Sequence, residues 1–118
     1  MATVTDVKDM ATRLLFFPLA AVVLLTFLSE HRKVLEAKSK SWAEIYRDAQ
    51  RIYKGAQESG PLPLVIEHQD LDKVLAFLVK NGMLTELTQI SWVYSITPYG
   101  NEVGETTWAA RLAFLRAP

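Results

Sequence analysis

Apolar positions recur at helical spacing from Asp70 to Lys80, where Leu71, Val74, Leu75 and Leu78 mark one face and Phe77 and Val79 widen it. Asn81-Gly82 follows at the point where a helix ends on a left-handed glycine. Met83 and Leu84 then lead into two short runs of strand character. In the second, Trp92, Tyr94 and Ile96 alternate with Val93 and Ser95, so one face is bulky and apolar. Thr97-Pro98 predicts the N-cap and first residue of another helix. Upstream, Ser41-Trp42-Ala43-Glu44 is a capping box, with a serine for the third amide and a glutamate returning to the serine amide. The helix it opens carries Trp42, Ile45, Tyr46, Ala49, Ile52 and Tyr53 on one stripe and Arg47, Asp48, Gln50, Arg51 and Lys54 outside it, and it ends at Gly55 or at Ser59-Gly60-Pro61. Pro61-Leu62-Pro63 is a stiff connector, and Leu64 to Gln69 reads either as a short extended piece or as the first turn of the next helix.

The two ends of the chain follow different patterns. Met1 to Arg13 is an amphipathic lead-in with charges at Asp6, Lys8, Asp9 and Arg13 and a weak Thr3-x-x-Asp6 capping signal. Leu14 to Ser29 carries no charge. As a helix it spans about 24 Å, short of the roughly 30 Å hydrocarbon core of a bilayer. Pro18 shortens it further, and no small-residue cleavage site follows, only Glu30-His31-Arg32-Lys33. A buried helix explains the stretch better than a membrane span. Being apolar all round, it is expected to be covered all round, with a second copy of the chain over one face. At the other end, Trp108, Leu112 and Leu115 recur at helical spacing among alanines, a surface suited to close helix contact, whether with a second copy or in closing the chain's own core.

Composition narrows the functional classes. At 118 residues the chain is long enough for one domain, 1–118, and too short for two. It is 50% hydrophobic and 22% charged, with 13 Lys+Arg against 13 Asp+Glu, so its net charge exerts no global pull on nucleic acid. The absence of cysteine excludes disulfides, thiolate metal sites and cysteine nucleophiles. His31 and His68 are the only imidazoles, and neither has a second histidine at i+4 to share a metal; Glu67-His68-Gln69-Asp70 reads as a solvated polar stretch. No phosphate loop, nucleophile elbow or paired-carboxylate motif is present, so neither catalysis nor a cofactor is expected.

The segment Val74-Leu75-Ala76-Phe77-Leu78-Val79-Lys80-Asn81-Gly82-Met83-Leu84-Thr85-Glu86, followed by Val93-Tyr94-Ser95-Ile96-Thr97-Pro98-Tyr99-Gly100, resembles small bacterial and archaeal winged-helix regulators of the PadR, MarR and ArsR kind. The matching residues are Leu78, Gly82, Met83, Leu84, Tyr94, Ile96, Thr97 and Gly100, close over about thirty residues and loose over about eighty. The resemblance implies a mainly α protein with a small β-hairpin (α+β). It would be a winged helix-turn-helix over 14–100, with an N-terminal lead-in helix (1–13) and a C-terminal helix (101–118). It further implies a cytoplasmic, homodimeric, DNA-binding transcriptional regulator whose first and last helices meet across the dimer. Leu19, Val23, Trp108, Leu112 and Leu115 are then the interface candidates. Trp42, Leu75, Leu78, Leu84, Trp92 and Ile96 are expected in the core.

Local charge refines that expectation. From His31 to Lys54 there are seven Lys/Arg against three Asp/Glu; from Ala56 to Leu87 there are two against five. The basic segment contains the N-terminus of the capped helix, so Lys38, Lys40, Ser41 and Arg47 are the expected phosphate contacts. The helix after it would read bases through Gln69, Lys73 and Lys80, although Glu67, Asp70 and Asp72 surround them and the wing turn Thr88-Gln89-Ile90-Ser91 has no cation. With so few cations per protomer, useful affinity for duplex DNA would need two protomers on two half-sites. The expected partners are double-stranded DNA and a second copy, with no small-molecule ligand. Two rivals stand beside this: a winged-helix interaction module that docks a basic protein on its acidic helix, and a short membrane-anchored regulator.

Overall fold

The computed structural model describes residues 6–31, 39–56, 66–87 and 92–116, of which 29–31, 53–56 and 111–116 are described by their backbone alone. In chain order the elements are α1 (Val7–Leu15), α2 (Pro18–His31), β1 (Ser39–Ser41), α3 (Trp42–Ala56), α4 (His68–Lys80), β2 (Leu84–Glu86), β3 (Val93–Ile96) and α5 (Pro98–Arg116). The protein is mainly helical with a small antiparallel sheet, as expected for an α+β chain.

The uncharged stretch from Leu14 to Ser29 does not form one helix. α1 runs on through Leu15 and closes with the Phe16 and Phe17 amides donating to the carbonyls of Arg13 and Leu14 (3.1 and 3.0 Å). Pro18, which has no amide to lose, opens α2, and the two helices are bent by 118°. Asp6 occupies the N-cap position of α1 without a side-chain cap bond, while Thr3 lies outside the described residues. Among the described residues no single helix is long and apolar enough to cross a membrane.

α2 is the axis of the core. Ala20 to Leu24, Phe27 and Leu28 are buried, and α1, α3, α4 and α5 of the same chain all pack on it. Gly104 lets α5 approach closely, since a Cβ there would stand 3.0 Å from Leu28 Cδ1. The Trp108 indole reaches across and donates to the Ala21 carbonyl at 2.9 Å. This corrects the expectation that a second copy is needed to cover α2: the chain's own helices do it. Val23, fully buried, therefore belongs to the monomer core and presents nothing to a dimer partner. Leu19 and Trp108 are half-buried against that core. Leu112 and Leu115 lie in the last turns of α5, outside the residues whose side chains are described.

The sheet has the order β1-β3-β2 and is antiparallel throughout, with Ser39 opposite Ser95, Ser41 opposite Val93, and Leu84 opposite Ile96. The expected hairpin is there, but β1 is an addition. Ser-Lys-Ser has no strand signature of its own, and it becomes a strand because β3 offers it a free edge. The junction on the other side is built as the pattern predicted. Gly82 adopts φ 78°, the Met83 amide donates to Leu78 O at 2.9 Å and the Gly82 amide to Val79 O at 3.1 Å, which together form a Schellman cap. The Thr97 hydroxyl accepts from the Gly100 amide at 2.9 Å as the N-cap of α5 and donates to Gly82 O at 2.6 Å. A Cβ at Gly100 would fall 2.0 Å from the Met83 carbonyl oxygen, so only glycine lets α5 cross this turn.

Candidate nucleic-acid interface

α4 is held from beneath by its apolar face. Leu71, Val74, Leu75 and Leu78 are buried, and Ile66, buried in the same core, precedes the N-cap Glu67 at the position a hydrophobic staple to Leu71 uses. Tyr46 and Gln50 of α3 fix that entry: the Tyr46 hydroxyl donates to Ile66 O at 2.9 Å, and the Ile66 amide donates to Gln50 Oε1 at 3.0 Å. The opposite face is exposed. Gln69, Lys73, Ala76 and Lys80 follow one another at spacings of four, three and four residues, which places them in a single line along the helix. All three residues expected to reach bases thus share one outward stripe, with small Ala76 between the two lysines. Among the described residues, Gln69, Lys73 and Lys80 have no hydrogen-bond or ion-pair partner.

The acids beside this stripe do not all compete with it. Asp72 accepts a hydrogen bond from the Trp42 indole at 2.8 Å. Glu67 and Asp70 are exposed at the first turn, and Glu86 is exposed on β2. Trp42 stacks on Tyr46 (5.3 Å, 7° between rings), and His68 sets its edge against both. His68 is thus an aromatic contact at the start of α4. Among the described residues no group of three or more His, Asp or Glu could hold a metal ion.

The expected phosphate contacts fare differently. Lys40 is only 2% exposed. Its ammonium pairs with Asp48 Oδ2 at 2.6 Å and donates to the Thr26 carbonyl at 2.9 Å, with the Phe27 ring centroid 5.9 Å away. It ties β1 to α2 and α3 and presents no charge to solvent, which corrects its assignment as a phosphate ligand. Ser41 is also committed. Its hydroxyl accepts from the Glu44 amide at 3.2 Å and donates to Glu44 Oε1 at 3.1 Å, and the Glu44 carboxylate accepts from the Ser41 amide at 3.3 Å. The capping box forms as predicted and thereby fills the helix N-terminus with its own carboxylate, leaving that end unsuited to a phosphate. Arg47 is 66% exposed, 3.7 Å from Asp48, and Arg51 is 74% exposed one turn on, so among the described residues these two are the cations α3 presents. Lys38 and the wing turn 88–91 lie outside the described residues.

Trp92 departs most from expectation. The alternation in β3 predicted a core residue, yet it is 59% exposed. Its φ of 68° turns the backbone out of the strand just before the β1 ladder begins at Val93, so the inward alternation stops at Tyr94. The Trp92 carbonyl accepts from the Trp42 amide at 2.7 Å, which holds that turn. Trp42, half-buried, lies at the rim of the core in which Leu75, Leu78, Leu84 and Ile96 are buried as expected. Arg51, Ala76 and Trp92 are absent from the expected site; the outer face of α3 could have found Arg51 and the four-three-four spacing Ala76, while nothing local marks Trp92. No protein-family model, no curated protein and no solved structure matches the chain.

Proposed function

We propose that the chain is a winged-helix protein that binds duplex DNA with α4 as its recognition helix and acts as a transcriptional regulator. The observation that carries this reading is the exposed line of Gln69, Lys73, Ala76 and Lys80, unengaged by described residues and projecting from a helix clamped on its other face. Glutamine and lysine are donors suited to adenine and guanine edges, and alanine between them admits close approach to a groove. The order helix, strand, helix, helix, strand, strand, with the first strand beside the last, supports the winged-helix assignment. Of the expected phosphate contacts Arg47 stays, and Arg51 takes the place of Lys40 and Ser41.

Two to four cations per protomer give a salt slope of about −2 to −4 in log K against log salt, so tight binding at physiological salt calls for two protomers on two half-sites. The test is a salt series of binding to a mixed-sequence duplex, with the oligomeric state measured in parallel. Wild-type protein should bind with a steep slope, Arg47→Ala with Arg51→Ala should flatten it by about two units per bound protomer, and Lys73→Ala with Lys80→Ala should weaken binding at least tenfold. A slope near zero, or an affinity unmoved by the α4 double substitution, would remove the α4 reading.

A further inference from the structure

A groove runs along the flank of α4, between that helix and the sheet. It consists of two hollows that share Asp72 and Trp92. One, of about 460 Å³, lies toward Trp42 and His68; the other, of about 530 Å³, lies toward Ala76, Glu86 and Tyr94. Among the described residues, the first is lined by the Asp72 carboxylate and by no lysine or arginine. The second adds Glu86, with Lys80 as the one cation among the described residues. Burial first, and then the Glu86 and Asp72 carboxylates, raise the Tyr94 phenol above its usual pKa, as expected where the local potential is negative.

We infer that this groove seats an extended, arginine-bearing segment of a protein partner, with the guanidinium at Asp72 beside the Trp92 and Trp42 rings. Three features on the same wall suit that occupant. An aromatic face attracts a planar cation, a carboxylate receives its N–H fork, and the neighbouring carboxylate at Glu86 extends the complementary charge along the segment. Arginine fits better than lysine because it can stack and hydrogen-bond together. Two adjoining hollows that share Asp72 and Trp92 in their linings suit an extended chain better than a compact small molecule. Trp92 is also the described non-glycine residue with a left-handed backbone, and it presents a large aromatic surface to solvent. The groove shares Ala76 and Lys80 with the Gln69–Lys80 line, but the groups the inference uses, Trp42, Asp72, Glu86 and Trp92, lie outside that line, so it does not depend on the DNA reading.

The experiment follows the three tryptophan indole N–H resonances of the full chain while acetyl-Gly-Ser-Arg-Ser-Gly-amide is added. The Trp42 and Trp92 signals should shift and Trp108, which bonds to Ala21 and lines neither hollow, should not. Replacing the arginine by citrulline, which is neutral and nearly the same shape, should weaken binding at least tenfold. Asp72→Asn, which keeps an acceptor for the Trp42 indole, should also weaken it about tenfold, and should leave duplex binding undiminished because it removes a negative charge beside Lys73. Trp92→Ala should abolish the Trp42 shift with the Trp108 signal unchanged. Unmoved indoles at millimolar peptide, equal binding of the citrulline peptide, or an Asp72→Asn protein that binds as wild type would each overturn the proposal. So would methylguanidinium binding as tightly as the peptide, which would make the occupant a small cation. Shifts of Trp92 that follow protein concentration alone would overturn it in favour of a second copy.

Discussion

Lys40 sits between Asp48 and the Thr26 carbonyl, closed off by the Phe27 ring, whereas Lys73 and Lys80 stand on the outer face of α4 with no partner among the described residues. In the sequence the contrast runs the other way: Lys40 belongs to a basic segment and the two α4 lysines to an acidic one. Charge counted along a segment measures what the chain contains, and the fold decides what it displays. Around β1 and the start of α3, Lys40 is spent on Asp48 and Glu44 on the cap of its own helix, while Arg47 and Arg51 farther along α3 stay exposed. On α4 the apolar face is so regular that its polar complement is forced outward as a line.

Asp48→Ala should produce the largest break in this comparison, because it strands a buried ammonium. A loss of about 3–5 kcal/mol is expected, read from the urea midpoint. Lys40→Met with Asp48→Leu should recover most of it, since a well-packed apolar pair avoids the desolvation of both charges. If Asp48→Ala costs no more than a surface substitution, Lys40 is not held as described and returns to the list of phosphate contacts. Gly100→Ala comes next. Its methyl would meet the Met83 carbonyl, and forcing α5 off that turn should cost about 3 kcal/mol, seen as a drop in Tm. Ser41→Ala removes the α3 cap and should cost about 1 kcal/mol in the same assay.

The smallest effects sharpen the other half of the comparison. Lys73→Ala and Lys80→Ala should each stay within about 0.5 kcal/mol of wild-type stability, as expected of cations the fold does not use. Trp92→Gly should cost no more than about 1–2 kcal/mol, because glycine relieves the positive φ and offsets part of the loss of a side chain that is already more than half exposed. A buried tryptophan would instead cost about 3–5 kcal/mol on truncation. A large loss at Trp92 would therefore return it to the core, where the strand alternation had set it.

The features readable in the sequence are those encoded within a few residues. The apolar face of α4, the Schellman glycine at Gly82, the Ser41–Glu44 box and the Thr97-Pro98 start of α5 each depend on spacings of one turn or less. What escaped depends on distant partners. β1 exists through β3, Lys40 is buried by residues from α2 and α3, and α2 is covered by helices from both ends of the chain, the Trp108–Ala21 bond among them. The all-round apolarity of α2 correctly indicated all-round burial, but apolarity does not say which chain supplies the cover. Trp92 escaped for a different reason: a single backbone angle, set by a bond to Trp42, ends the alternation that the residue types continue.

The strand order has a consequence in time. β3 is central, so β1 and β2 have no partner in this sheet until residues 93–96 exist and have found them. On an emerging chain the sheet must wait for most of the protein to be made, while α2, α3 and α4 can already assemble through shorter-range contacts. Lys40 finds Asp48 and the Thr26 carbonyl only eight and fourteen residues away, so its ion pair belongs to the short-range contacts of α2 and α3 and can close before β1 meets β3.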